Sequence, residues 1–171
     1  NNIVVSTVMS NYGFKQAIEK FNFDLIETPV GDKYVAEAMK KYDAALGGEQ
    51  SGHIIISDQL PVGDGLVTLI YVLKAMQHFG VALSDFKKEN LYEYPQQLTN
   101  LELKNKLNDE ELEYINQIAL DMSIKKDLDG RYLIRNSGTE PLLRVLVEAK
   151  SNEAMEDFSN ELITKINKYL N

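Results

Sequence analysis

The chain has 171 residues, 44% of them hydrophobic and 26% charged, the profile of a globular protein with room for one large domain or two small ones. Eighteen Lys and Arg against 26 Asp and Glu leave a formal charge of −8, which disfavours a general electrostatic grip on nucleic acid or an anionic membrane. The absence of Cys excludes disulfides, thiolate metal sites and cysteine nucleophiles, and two histidines, His53 and His78, leave little for zinc.

The Asn1-Asn2-Ile3-Val4-Val5 opening has neither a basic signal-peptide region nor an initiator Met, so the chain reads as a piece of a longer one. No apolar run approaches the ~20 residues of a membrane span. The β-branched run Ile3 to Val8 predicts a strand, Phe14 to Phe21 a helix and Phe23 to Glu27 a second strand. Asp32 to Tyr42 predicts an amphipathic helix with Tyr34, Val35, Ala38 and Met39 on one side and Asp32 as its N-cap. A short strand from Ala44 to Leu46 enters Gly47-Gly48, and His53 to Ser57 is a further strand. From Gly65 to near Gly80 the sequence is apolar nearly all round, with Asp64 as cap, which predicts a helix lying deep in its domain and anchoring its core.

Ser84 to Asn90 is polar, and the Tyr92-Glu93-Tyr94-Pro95 stretch breaks the pattern, so a linker is placed there. Beyond it the sequence predicts a strand near Leu98 to Leu103, a helix from Asn108 with Glu111 completing a capping box, and an Asp-Gly hairpin turn at Asp127 to Gly130. Strands at Tyr132 to Asn136 and Leu143 to Ala149 flank a loop, and a closing helix carries Met155, Phe158, Leu162, Ile166 and Leu170 on one stripe. The fold class is therefore α/β followed by α+β: an α/β unit over residues 1–90, then a small α+β unit over 93–171 whose antiparallel sheet is packed by helices.

Three segments could carry chemistry. All three arginines, Arg131, Arg135 and Arg144, cluster around the loop Asn136-Ser137-Gly138-Thr139-Glu140-Pro141. A guanidinium fork matches phosphate or carboxylate oxygens, and small hydroxyl residues beside a Gly let backbone N–H groups converge on an anion. An ordinary hairpin turn whose arginines pair with Glu140 and Glu148 explains the same residues, and residue chemistry alone leaves both readings open. In Gly47-Gly48-Glu49-Gln50-Ser51-Gly52-His53, an extended backbone would send Glu49 and Ser51 out on one face, where a carboxylate and a hydroxyl could hold neighbouring sugar hydroxyls. A β-bulge with an exposed Glu is the rival, and His53 is either a proton carrier or a structurally satisfied histidine. Third, Gly31, Asp32 and Lys33 form a Gly turn at a helix start, with Lys33 either solvated or facing a ligand.

Taken in this order, the segments resemble the C-terminal half of the α-D-phosphohexomutase family, and within it the bacterial phosphoglucosamine mutase branch, across essentially the whole chain. Gly48-Glu49-Gln50-Ser51-Gly52-His53 resembles the family's sugar-binding loop, with Gln50 favouring the glucosamine branch. The run Arg135 to Arg144 resembles its phosphate-binding loop, and Val30 to Val35 its third recognition loop, where the branch often has Arg in place of Lys33. The resemblance implies the third and fourth of four domains. Glu49, Ser51, His53, Gly31, Asp32 and Lys33 would bind the sugar, and Arg135, Asn136, Ser137, Gly138, Thr139 and Arg144 the phosphate.

The family's Ala-Ser-His-Asn phosphoserine loop and Asp-Gly-Asp-Ala-Asp-Arg magnesium loop do not occur in this sequence. The resemblance therefore implies no catalytic residue and no metal ligand here, with Mg2+ bound by the N-terminal half of the same protein. It further implies a cytoplasmic isomerase that interconverts glucosamine 6-phosphate and glucosamine 1-phosphate through a bisphosphorylated sugar, feeding amino-sugar and peptidoglycan precursors. The 171-residue piece alone would be monomeric and inactive, bind a phosphosugar, and touch neither nucleic acid nor membrane. A phosphomannomutase or phosphoglucomutase is the rival within the enzyme class, and a non-catalytic sugar-phosphate-binding module the rival outside it.

Overall fold

Residues 2–170 are described by a computed structural model, in which the chain divides between Glu93 and Tyr94 into two units. In the first, the elements run β1 (Ile3–Thr7), α1 (Tyr12–Lys20), β2 (Asp24–Thr28), α2 (Asp32–Tyr42), β3 (Leu46–Gly48), β4 (Ile54–Ile56), α3 (Gly65–Phe79) and α4 (Leu83–Asn90). The sheet order is β2-β1-β3-β4; β1 pairs in parallel with β2 and β3, and β4 returns antiparallel beside β3. The two glycines of the Gly47-Gly48 pair are inside β3 rather than after it.

Burial follows the helix period in α2: Val35 and Met39, four residues apart, are buried on Val5 of β1, with Ala44 and Ile55 completing the core. Gly47 makes that contact close, since a Cβ there would stand 2.4 Å from the Met39 sulfur and 2.8 Å from Val35 Cγ1. Tyr34, expected on the packed side, is exposed. The N-cap is Gly31, not Asp32, which occupies the first helical position and accepts from the Lys33 N–H at 2.8 Å.

Helix α3 corrects a larger expectation. Asp64 does cap it, accepting from the Val67 N–H at 2.8 Å, and Gly80 ends it in the left-handed region. Yet none of its residues is buried, and Leu66 and Leu73 are 73% and 53% exposed. Apolar residues on every side of a helix state what the helix would bury; within this unit the helix meets the sheet at β4, and the core forms instead between α2 and β1. The polar stretch after it is also not irregular. Ser84 to Asn90 lies in α4, whose Phe86 stacks on Phe21 at 6.3 Å and meets Phe79 at 6.0 Å.

The second unit runs β5 (Gln96–Glu102), α5 (Asp109–Lys125), β6 (Gly130–Asn136), β7 (Leu142–Ala149) and α6 (Asn152–Leu170). Its antiparallel sheet has the order β5-β7-β6. Alternate residues Leu143, Val145 and Val147 of β7 are buried against Ile115, Ala119 and Met122 of α5 and Met155, Phe158, Leu162 and Ile166 of α6. The capping box forms in full, with Asn108 Oδ1 accepting from the Glu111 N–H and Glu111 Oε2 from the Asn108 N–H. Asp127 to Gly130 is not a hairpin turn: it joins α5 to β6, with Asp127 in the left-handed region and Asp129 held by Lys150 at 2.9 Å and the Tyr94 hydroxyl at 3.1 Å. Both units match the α/β and α+β classes expected from the sequence.

Candidate functional site

Residues 49–53 connect β3 to β4 as a tight turn, closed by Gly52 N–H to Glu49 O and Glu49 N–H to His53 O, each at 3.0 Å. The stretch is therefore not extended, and Glu49 and Ser51 come together for another reason. The Ser51 hydroxyl donates to Glu49 Oε1 at 2.6 Å, and His53 Nδ1 faces the same oxygen at 3.0 Å. The Gly31 backbone also helps to hold the Glu49 carboxyl low, which brings together the two loops that the sequence singled out separately. Gly31 has φ 132°, a conformation that glycine adopts without strain. Glu49 is thus drawn in, its side chain 10% exposed, while the His53 ring at 60% faces outward. The Lys33 ammonium stands 4.6 Å from the Tyr34 ring centre.

These contacts set the charges. Hydrogen bonds from Ser51, then from His53, hold the Glu49 carboxyl below its ordinary value, and the Glu49 contact, with Asp32 near, pushes the His53 imidazole up. A raised imidazole favours the contact while His53 is protonated, so that contribution is complete below the ordinary histidine value and fades as pH rises through the raised one. A lowered carboxyl contributes above the ordinary carboxylate value and fades as pH falls through the lowered one. We expect the His53 ring protons to titrate with a midpoint above ~6.5 in NMR spectra. A midpoint at or below that value would show that Glu49 and Asp32 do not act on the ring.

In the second unit Arg135 of β6 stands directly opposite Arg144 of β7, two like charges in register at the mouth of the Asn136–Pro141 turn. Burial, with Arg144 opposite, pulls the Arg135 guanidinium below its ordinary value. Arg144 has Glu140 at 3.9 Å from Nη2, while its buried Nε has no hydrogen-bond partner. An orphaned donor beside a second guanidinium is costly without an anion to accept from it. Arg131 belongs elsewhere: it pairs with fully buried Glu148 at the far end of the same two strands. The arginine cluster therefore divides, one member serving the hairpin and two facing each other beside the turn.

Within the turn, Ser137 is buried and its N–H donates to Leu142 O at 2.7 Å, while Gly138 and Thr139 are exposed. The Asn136 amide is turned to the Leu107 backbone, donating to its carbonyl at 2.8 Å and accepting from its N–H at 3.3 Å. Sequence reasoning missed this partner segment, residues 103–107, because nothing in a short polar connection thirty residues upstream announces a contact. Among the described residues no group of three or more His, Cys, Asp or Glu could hold a metal ion.

Comparison with known proteins agrees with both units. Residues 1–94 match the family model described as phosphoglucomutase/phosphomannomutase, alpha/beta/alpha domain III, and residues 98–165 the one described as its C-terminal domain. The chain belongs to the phosphoglucomutase/phosphomannomutase family and carries these two of its domains. Among curated relatives, it is 42% identical to the phosphoglucosamine mutase of Bacillus subtilis (strain 168) over 94% of its own length and 36% of that protein's. It is 45% identical to the phosphoglucosamine mutase of Streptococcus agalactiae serotype Ia over 91% of its length and 35% of that protein's. The chain thus spans about a third of the length of these relatives. The structure of Aspergillus fumigatus N-acetylphosphoglucosamine mutase, 20% identical, superposes with a TM-score of 0.81 over 98% of this chain and 38% of that one, a likeness of fold.

Proposed function

We propose that this chain is the substrate-binding part of a phosphoglucosamine mutase, an isomerase that interconverts glucosamine 6-phosphate and glucosamine 1-phosphate. The observation that carries the reading is the paired guanidinium groups of Arg135 and Arg144 beside a turn, with a buried Nε lacking a partner. That arrangement suits a phosphate group, and the Glu49, Ser51 and His53 cluster of the other unit suits the hydroxyls of a sugar. Relatives called phosphoglucosamine mutase at 42–45% identity support the amino-sugar substrate over the mannose and glucose alternatives.

The division of labour follows from what these residues can do. Arg135 and Arg144, with the N–H groups of Gly138 and Thr139, bind the phosphate that is not reacting. Glu49 accepts from sugar hydroxyls, and the Ser51 oxygen, whose own proton goes to Glu49, accepts from another, so the ring is held while either end reacts. Asn136 holds the turn through Leu107, Ser137 braces it from within, and Gly31 and Asp32 shape the loop behind Glu49, with Lys33 nearby on the same helix start. In this reading the phosphoserine, and a Mg2+ ion that would neutralise charge on the transferring phosphoryl group, would be supplied by the N-terminal half of the same protein. A bisphosphorylated sugar would turn around between the two phosphate positions. The product would enter amino-sugar and peptidoglycan precursor synthesis in the cytoplasm.

Glu49→Gln tests the assignment. It keeps size and one acceptor, and we expect it to cut catalytic efficiency of the full-length enzyme while leaving inorganic phosphate binding nearly unchanged. Unchanged efficiency would remove Glu49 from sugar recognition. In a coupled assay for glucosamine 1-phosphate, with Mg2+ and a bisphosphorylated primer, the 171-residue chain alone should show no turnover. Turnover abolished by Arg135→Ala would instead assign the chemistry to these two domains.

A further inference from the structure

The connection between β5 and α5 follows the Asn136–Pro141 turn at three successive points. The Leu103 N–H donates to Pro141 O at 2.9 Å, the Lys106 ammonium to Gly138 O at 2.6 Å, and the Leu107 backbone exchanges two hydrogen bonds with the Asn136 amide. The outer two contacts fix the backbone on either side of Lys106. A lysine on a free loop would spread its charge over many rotamers; this one is brought to the middle of the turn by anchors at both ends. Its ammonium has three donors, and the Gly138 carbonyl occupies one. With Lys106, three cations surround the turn, while Glu140 is the carboxylate that the ion pairs place there, 3.9 Å from Arg144.

We propose that Lys106 is a third cation of this site and sets its preference for a doubly charged phosphate monoester over a singly charged anion of the same shape. The inference rests on the reading of this turn as a phosphate site. Two guanidinium groups satisfy the geometry of either anion through their fixed donors. A further point charge adds attraction in proportion to the ligand's charge, so a dianion gains about twice what a monoanion gains. The effect belongs to an exposed group and is therefore weakened by salt.

Methyl phosphate and methyl sulfate, both tetrahedral, carry two charges and one charge at pH 8, well above the second phosphate ionisation at about 6. Each is titrated into the 171-residue chain at low salt, with the backbone amides of Ser137, Gly138 and Thr139 followed by NMR, for the unsubstituted chain, Lys106→Met and Lys106→Arg. We expect Lys106→Met to weaken methyl phosphate by about tenfold and methyl sulfate by about threefold, since halving the free-energy loss takes the square root of the factor. Lys106→Arg should restore most of the loss. Equal losses for the two anions would mean that Lys106 only holds the turn in shape and would overturn the proposal, as would no loss at all. Amides that shift with neither anion in the unsubstituted chain would overturn the phosphate-site reading and this inference together. Normal binding there with an unaffected Lys106→Met overturns this inference alone.

Discussion

Arg144→Ala is expected to weaken glucosamine 6-phosphate binding by about 1.5–3 kcal/mol, the value of a hydrogen bond to a charged group. Lys33→Ala should cost less. The contrast comes from how the two cations are held. Arg144 is fixed in β7 opposite Arg135, and its buried Nε has no partner within the protein, so a phosphate oxygen would complete a donor that is otherwise desolvated for nothing. The Lys33 ammonium rests against the Tyr34 ring on a mobile stem and is more easily replaced by water. Calorimetric titration of each variant measures the difference, and equal losses or a larger Lys33 effect would count against the two-arginine clamp. Folding should survive Arg144→Ala, because the helix-packed side of β7 carries the core; a lost circular dichroism signal would assign Arg144 a structural role instead.

The other large effect concerns stability. Phe158 of α6 is 1% exposed and stacks on Tyr132 of β6, with ring centres 6.2 Å apart. Phe158→Ala should cost the second unit about 3–5 kcal/mol, the range for removing a buried aromatic side chain. Small domains have a net stability of about 5–15 kcal/mol, so this is about a fifth of the total at the least and more than half for a domain at the low end. The first unit keeps a separate core around Val5, Val35 and Met39 and should be unaffected. Urea unfolding followed by residue-resolved NMR would then show the second unit melting at lower denaturant while the first keeps its midpoint. Equal displacement of both would show that the two cores unfold as one.

Where local chemistry decides structure, the sequence was legible. The Asn108 to Glu111 capping box, the Asp64 cap, the stripe of α6 and the apolar strand β7 each depend on residues within a few positions of one another. The misreadings of α3 and α4 share a cause, which is that what packs on them is not written in neighbouring residues, whereas the Gly31 cap and the Asp127 to Gly130 connection were misread locally. Hydropathy marks α3 as a helix that would bury its sides, but no local signal says what covers it. Polarity hid α4, whose Phe86 stacks on Phe21, some 65 residues away. In the candidate site, the residue types of the sugar and phosphate loops were readable, and their internal wiring was not. Glu49 and Ser51 meet through a turn instead of a shared strand face, and Asn136 is turned to Leu107, whereas the pairing of an arginine with Glu148 was among the readings the sequence offered.

The open apolar surface of α3 also governs how this chain behaves among its own copies. Leu66, Leu69, Ile70, Leu73 and Phe79 are all more than half exposed on one helix, in a chain with a formal charge of −8. Charge repulsion and hydrophobic attraction therefore act in opposition between neighbouring molecules, and both respond to salt in the same direction. Added salt screens the repulsion, and sulfate or phosphate strengthens apolar association as well. Colloidal stability is therefore expected to be greatest in dilute buffer and to fall when sulfate or phosphate is added.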